Sequence, residues 1–121
     1  MIKESLSPRD KGNKGEELAI EFLKYRGYQI IKRNWKYENG EIDIIAQKQN
    51  LTIFVEVKTL YGKGKPESKV DEAKMEKISA GIEEWIAQNR WRKAVRFDII
   101  AISIYKNGDY VIHHFIDVFS F

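Results

Sequence analysis

The chain contains no cysteine, which excludes a disulfide framework, a thiolate metal site and a catalytic thiol at once. Any bound metal would be held by oxygen or imidazole. No apolar run approaches the length of a membrane span, and Met1–Lys14 is polar without an apolar signal core, so the expectation is a cytoplasmic protein with no membrane partner. Internal repeats and low-complexity segments are absent as well. Charge is nearly balanced, 21 Lys+Arg against 18 Asp+Glu for a formal net charge of +3, a bias that allows a polyanionic partner without requiring one. At 121 residues and 43% hydrophobic, the chain is long enough for one domain around one core. Residues 1–11 read as a flexible N-terminal segment and residues 12–121 as a single domain.

What is present is periodic. Leu18, Ala19, Phe22 and Leu23 form one stripe of a helix over Gly15–Tyr25, with Gly27 as its stop signal. Tyr28–Tyr37, Glu41–Ala46 and Thr52–Thr59 read as three strands joined by turns at Glu38-Asn39-Gly40 and Gln47–Asn50, an antiparallel meander. Leu60–Ser68 is a loop rich in glycine and lysine. Met75, Ile78, Ile82, Trp85 and Ile86 then mark a second helix, Phe97–Ile104 a nearly continuous apolar strand, and Asn107-Gly108 a two-residue hairpin turn into Tyr110–Ile116. Strand, helix, strand implies a crossover between parallel neighbours. The predicted fold is α/β, a mixed sheet flanked by helices in the order α-β-β-β-α-β-β.

Charges inside apolar strands need a reason. Period two places Glu56 and Lys58 on one face of their strand, with Ile53, Val55 and Val57 on the other. In the neighbouring strand it places Glu41 and Asp43 opposite Ile42 and Ile44. If the hairpin pairs these strands, Asp43 and Glu56 lie side by side, where two carboxylates about 5 Å apart repel by roughly 3 kcal/mol at an effective dielectric near 20. A divalent cation reverses that sign. Magnesium favours a few carboxylates with waters and phosphate oxygens, a description met by Asp43, Glu56 and a backbone carbonyl such as that of Val57. Lys58 is then placed to contact the phosphate or help generate the attacking hydroxide. The bland alternative is an internal ion pair or a partly solvated sheet face.

Helical arithmetic puts Glu16 beside the first helix's apolar stripe and Glu17 nearly opposite, so Glu16 can face the sheet. On the second helix it favours Lys74 as the residue contacting the site or a phosphate, with Lys77 a surface charge. Two windows hold basic residues around a tryptophan without any acid: Lys32-Arg33-Asn34-Trp35-Lys36, and Arg90 through Arg96 with Arg92 and Lys93. Each alone reads more simply as a solvated turn anchored by its tryptophan, while the two together suit phosphate contact with base stacking and lean toward nucleic acid. His113 and His114 face opposite sides of their strand and make a poor metal pair. Arg96 and Asp98 share a face and read as structural, pairing with the first helix or its turn.

The set formed by Gly15-Glu16-Glu17-Leu18-Ala19, Gly40 through Ala46, Phe54-Val55-Glu56-Val57-Lys58 and Arg96-Phe97-Asp98 resembles the YraN-like bacterial family of small proteins. That family is related to Holliday-junction resolvases within the restriction-endonuclease-like PD-(D/E)XK nucleases. The resemblance spans about residues 12–117. It implies a restriction-endonuclease-like core, Mg²⁺ or Mn²⁺ as cofactor, and DNA as substrate, branched DNA included. Carried over, Asp43 and Glu56 are metal ligands, Lys58 is the catalytic lysine and Glu16 the helix carboxylate, reaching the metal through water. A homodimer is a further implication. The chain departs from the pattern in having Ile42 where the superfamily has proline, and Leu60 where an arginine often stands. Lys63, Lys65 and Lys69 in the loop are candidate replacements for that phosphate contact. The expected function is therefore a metal-dependent DNA endonuclease, with a non-catalytic nucleic-acid-binding module or a protein-interaction scaffold as alternatives.

Overall fold

The computed structural model describes residues 8–62 and 64–120, with side chains from residue 14 onward. Its elements are α1 (Pro8–Tyr25), β1 (Gln29–Tyr37), β2 (Gly40–Lys48), β3 (Leu51–Tyr61), α2 (Glu72–Asn89), β4 (Ala94–Ile104) and β5 (Tyr110–Phe115). The expected order is the observed one. Helix α1 starts at Pro8 rather than Gly15, so the last residues of the segment expected to be flexible are helical. Proline suits a first helical residue because the N–H it lacks would have no partner there. The helix ends as predicted, with Gly27 at φ +90° and the amides of Gly27 and Tyr28 closing on the carbonyls of Lys24 and Leu23 at 2.9 Å each.

The five strands form one sheet in the order β1-β2-β3-β4-β5. Every neighbouring pair is antiparallel except β3 and β4, which run parallel from Leu51↔Ala94 to Tyr61↔Ile104. Helix α2 supplies the long connection that a parallel pair needs.

Each helix covers one face. Ala19, Ile20 and Leu23 of α1 pack with Ile44, Ala46, Ile53, Val55, Ile100 and Ile102. Ile78, Ile82 and Trp85 of α2 pack with Ile45, Phe54, Phe97 and Ile99. The split along β3 is the predicted alternation, with Ile53, Val55 and Val57 toward α1 and Phe54 toward α2. Two glycines let the helices sit close. A Cβ on Gly15 would overlap the Thr59 side chain of β3, and one on Gly81 of α2 would come within 2.6 Å of the Tyr37 ring.

Candidate functional site

Strands β2 and β3 pair from Lys48↔Leu51 to Ile44↔Val55, and there the ladder ends. One residue further on, Asp43 Oδ2 accepts the backbone N–H of Val57 at 2.8 Å, so a carboxylate takes the position of a ladder bond. On the other side Asn34 lies opposite Asp43, between the pairs Arg33↔Ile44 and Trp35↔Ile42, with φ +49°. Alternation fails at this point. Ile42 packs in the cluster toward α2 and Ile44 in the one toward α1, although the sequence pattern placed both on one face. The distortion is local: the strands part, and a cleft of about 170 Å³ opens between the ends of β2 and β3 and the first turns of α2.

Four carboxylates surround that parting. The Asp43 carboxyl is pushed up to about 6, chiefly by burial, with the Val57 hydrogen bond opposing the rise and the charges of Glu16, Glu56 and Glu41 adding to it. Glu16 and Glu41 share one donor, since the Asn34 amide, in the orientation that satisfies both, reaches Glu41 Oε1 at 2.9 Å and Glu16 Oε1 at 3.0 Å. Glu16 is half-buried and Glu17 exposed, as the helical arithmetic predicts. Glu56 Oε1 forms an ion pair with Lys74 Nζ of α2, and Glu56 Oε2 is buried without a partner. Among the described residues no group of three or more aspartate, glutamate or histidine side chains is arranged to enclose an ion.

The model of an uncharacterised protein family, UPF0102, matches residues 15–102. This chain belongs to the UPF0102 family. It is 42% identical over 113 residues to a UPF0102 protein of Flavobacterium psychrophilum, covering 91% of this chain and 93% of that one. To a UPF0102 protein of Dictyoglomus thermophilum it is 41% identical over 106 residues, covering 85% and 90%. A solved structure, Pyrococcus furiosus SfsA in complex with Ca²⁺, gives a TM-score of 0.39 at 16% identity, covering 87% of this chain and 62% of that one, too distant to carry an argument. The family match begins at Gly15, where α1 meets Thr59, and ends within β4; every residue named above lies inside it, and β5 lies beyond it.

Asp43, Glu56, Glu16 and Lys74 come together as predicted. Val57 joins them through its amide, whereas the sequence reading assigned its carbonyl. Lys58 is half-buried on the same side of β3, but its ammonium turns to the Lys69 carbonyl at 3.4 Å and does not line the cleft. Lys77, expected to be an uninvolved surface charge, does line it, beside Lys74. Arg33 and Lys36 are exposed on β1, with Trp35 and Tyr37 stacked at 5.7 Å between centroids. The second basic window is elsewhere. Arg90 caps α2 in the left-handed conformation, Trp91 packs on Trp85 and donates to the Ala94 carbonyl, and Lys93 donates to Asn50, all at the start of β3 and β4. Arg92 is exposed in the same loop. Lys65 is exposed in the loop after β3, and Lys63 lies outside the described residues.

Sequence reasoning missed Asn34. A signal existed, because the two-residue turn Glu38-Asn39 sets Tyr37 opposite Gly40, which counts back to Asn34 opposite Asp43, and asparagine tolerates positive φ. On the α1 face Arg96 and Asp98 are structural, as predicted, though they pair chiefly with each other. Arg96 holds both oxygens of the buried Asp98 at 2.8 Å and reaches the Tyr28 hydroxyl at 3.1 Å; His114 and the Asp117 amide complete the shell at 2.8 and 3.0 Å. Burial pushes the Asp98 carboxyl up, but these donors outweigh it and hold it below the usual carboxylate range. The network braces β4 against β5 through Asp98 and His114. No helix among the described residues is long and apolar enough to cross a membrane.

Proposed function

We propose that this protein is a divalent-cation-dependent endonuclease that hydrolyses phosphodiester bonds of DNA. The observation that carries the reading is the buried Glu56 Oε2, which has no hydrogen-bond partner, on a residue that lines the same cleft as Asp43. A buried carboxylate oxygen without a donor is costly, and a cation is what such an oxygen accepts in a cleft lined by other carboxylates. The side chains available as donors are the hard oxygens of Asp43 and Glu56, which suit Mg²⁺ or Mn²⁺ with waters, phosphate oxygens and a backbone carbonyl such as that of Val57 completing the shell.

When bound, the cation polarises a non-bridging phosphate oxygen and lowers the pKa of the attacking water. The remaining work belongs to the chain. The Val57 amide orients Asp43, and Asn34 holds Glu16 and Glu41 behind it. Lys58, tethered only at 3.4 Å, turns into the cleft to align the water, and Lys74 and Lys77 neutralise the phosphate from the edge of α2. Arg33 and Lys36, both exposed, extend the basic track along β1.

The test uses labelled junction, flap, single-stranded and duplex DNA with Mg²⁺ or Mn²⁺. The full chain should cut at least one of them, and Asp43→Asn should abolish the cutting with the fold intact. Equal trace activity in both proteins would sink the proposal. The Lys74–Glu56 ion pair and Leu60 favour a second reading, a non-catalytic DNA-binding module. That reading expects salt-sensitive binding untouched by Asp43→Asn and no Mg²⁺ heat in calorimetry.

A further inference from the structure

Lys74 is in an uncomfortable place for a lysine. Asp71 caps α2 and accepts the Lys74 amide at 2.8 Å, which makes Lys74 the third residue of the helix. That position favours glutamate or glutamine, and the positive end of the helix dipole opposes a cation there. Its ammonium nevertheless reaches across to Glu56 Oε1, while the side chain remains 46% exposed and the carboxylate 21% exposed. The lysine is therefore held at one end by a single ion pair and is otherwise free to move into solvent.

The pair is also half made. Lys74 satisfies Oε1 and leaves Oε2 buried without a partner, so the ammonium neutralises Glu56 without fulfilling it. Asp43 stands on the same cleft with one oxygen committed to Val57. An ion of two positive charges between these carboxylates would satisfy the orphaned oxygen and offset both negative charges, which one ammonium cannot do.

Resting on the cation-dependent reading above, we infer that Lys74 is a tethered counter-ion of Glu56 that a divalent cation displaces, so that ammonium and cation exclude one another at this carboxylate. Lys74 and Lys77, one turn apart on α2, both line this cleft, so once released from Glu56 the Lys74 ammonium faces the substrate phosphate together with Lys77. Cation loading and phosphate binding are coupled by one side chain. Without a cation, Lys74 neutralises the site and is withheld from the substrate; with one, it is delivered.

The experiment is Mn²⁺ binding to the full chain without DNA, by calorimetry, for wild type, Lys74→Met, Lys74→Gln and Lys74→Arg. Met keeps the stem and removes the competing charge, so Lys74→Met and Lys74→Gln should bind Mn²⁺ about tenfold more tightly, while Lys74→Arg stays within about threefold of wild type. Glu56→Gln should lose the site in every background. Circular dichroism melts confirm that each variant is folded. If folded Lys74→Met and Lys74→Gln bind Mn²⁺ no more tightly than wild type, the exchange is wrong and the cation-dependent reading survives. If no variant binds Mn²⁺ at all, both fall.

Discussion

Asp43 Oδ2 accepts the Val57 amide at 2.8 Å across the gap where β2 and β3 separate. A side chain thus does there what backbone does elsewhere in the sheet, and the strand that would have covered Glu56 is turned aside. Both the cleft and its charge follow from that substitution of one acceptor for another.

Asp43 should cost the cation-free protein stability at neutral pH. Its folded-state pKa of about 6 lies above the ordinary value, so the folded chain holds this proton more tightly than the unfolded chain. The stabilisation from that proton is full below about pH 4 and is lost as pH rises through about 6. Asp43→Asn removes the titration while keeping an acceptor for Val57. Discounting for partial exposure, denaturant unfolding should show the variant more stable by about 1–2 kcal/mol at pH 8 and level with wild type at pH 4. Superimposed stability curves over that range would contradict it.

Gly15→Ala should destabilise the protein although alanine is the better helix former. The new Cβ would overlap the Thr59 side chain, whose own Cβ is 3.2 Å from that position, so α1 must move off β3. The expected net loss is about 1–3 kcal/mol against a propensity gain of about 1 kcal/mol. Thr59→Ala in the same chain should recover most of it. A double-mutant cycle with no coupling would show that the contact does not limit the approach.

The two basic windows should behave differently on DNA. Arg33 and Lys36 sit on β1 beside the Asp43 strand, whereas Lys93 stands against Asn50 at 3.0 Å, six residues before Glu56 and so roughly 20 Å away along β3. Arg33→Glu with Lys36→Glu should weaken binding about tenfold or more and flatten the salt dependence by about 2 in log–log slope. Arg92→Glu with Lys93→Glu should stay within about threefold of wild type. Equal losses from both pairs, measured by anisotropy over a salt series, would remove β1 from the DNA track.

Much of this was legible before any coordinates. Periodicity located both helices, the meander and the parallel pair, because the 3.6 and 2.0 repeats are imposed by backbone geometry wherever one side of an element is buried. Asn107-Gly108 marked the place of the hairpin but not its length: Ile104 pairs with Tyr110 and the Tyr105 amide reaches the Asp109 carbonyl, which leaves three residues in the loop with Gly108 at φ +91°, not the two expected. The same periodicity misled at Ile42 and Ile44, since β2 there faces Asn34 of β1 at positive φ on one side and meets β3 through the Asp43 side chain on the other, and it no longer alternates. It also could not tell a basic window near the site from one at the far end of the sheet, because Trp35 and Trp91 look alike in sequence.

By itself the sequence determined the fold class, the family and the carboxylates of the candidate site, for these depend on patterns a few residues long and on the motif set from Gly15 to Asp98. The tertiary structure decided which charges meet. Lys74 reaching Glu56, Asn34 spanning Glu16 and Glu41, and Arg96 closing on Tyr28 are contacts between residues far apart in the chain. Their energies depend on distance and burial to within an ångström or so, quantities that exist only once the helices have docked on the sheet.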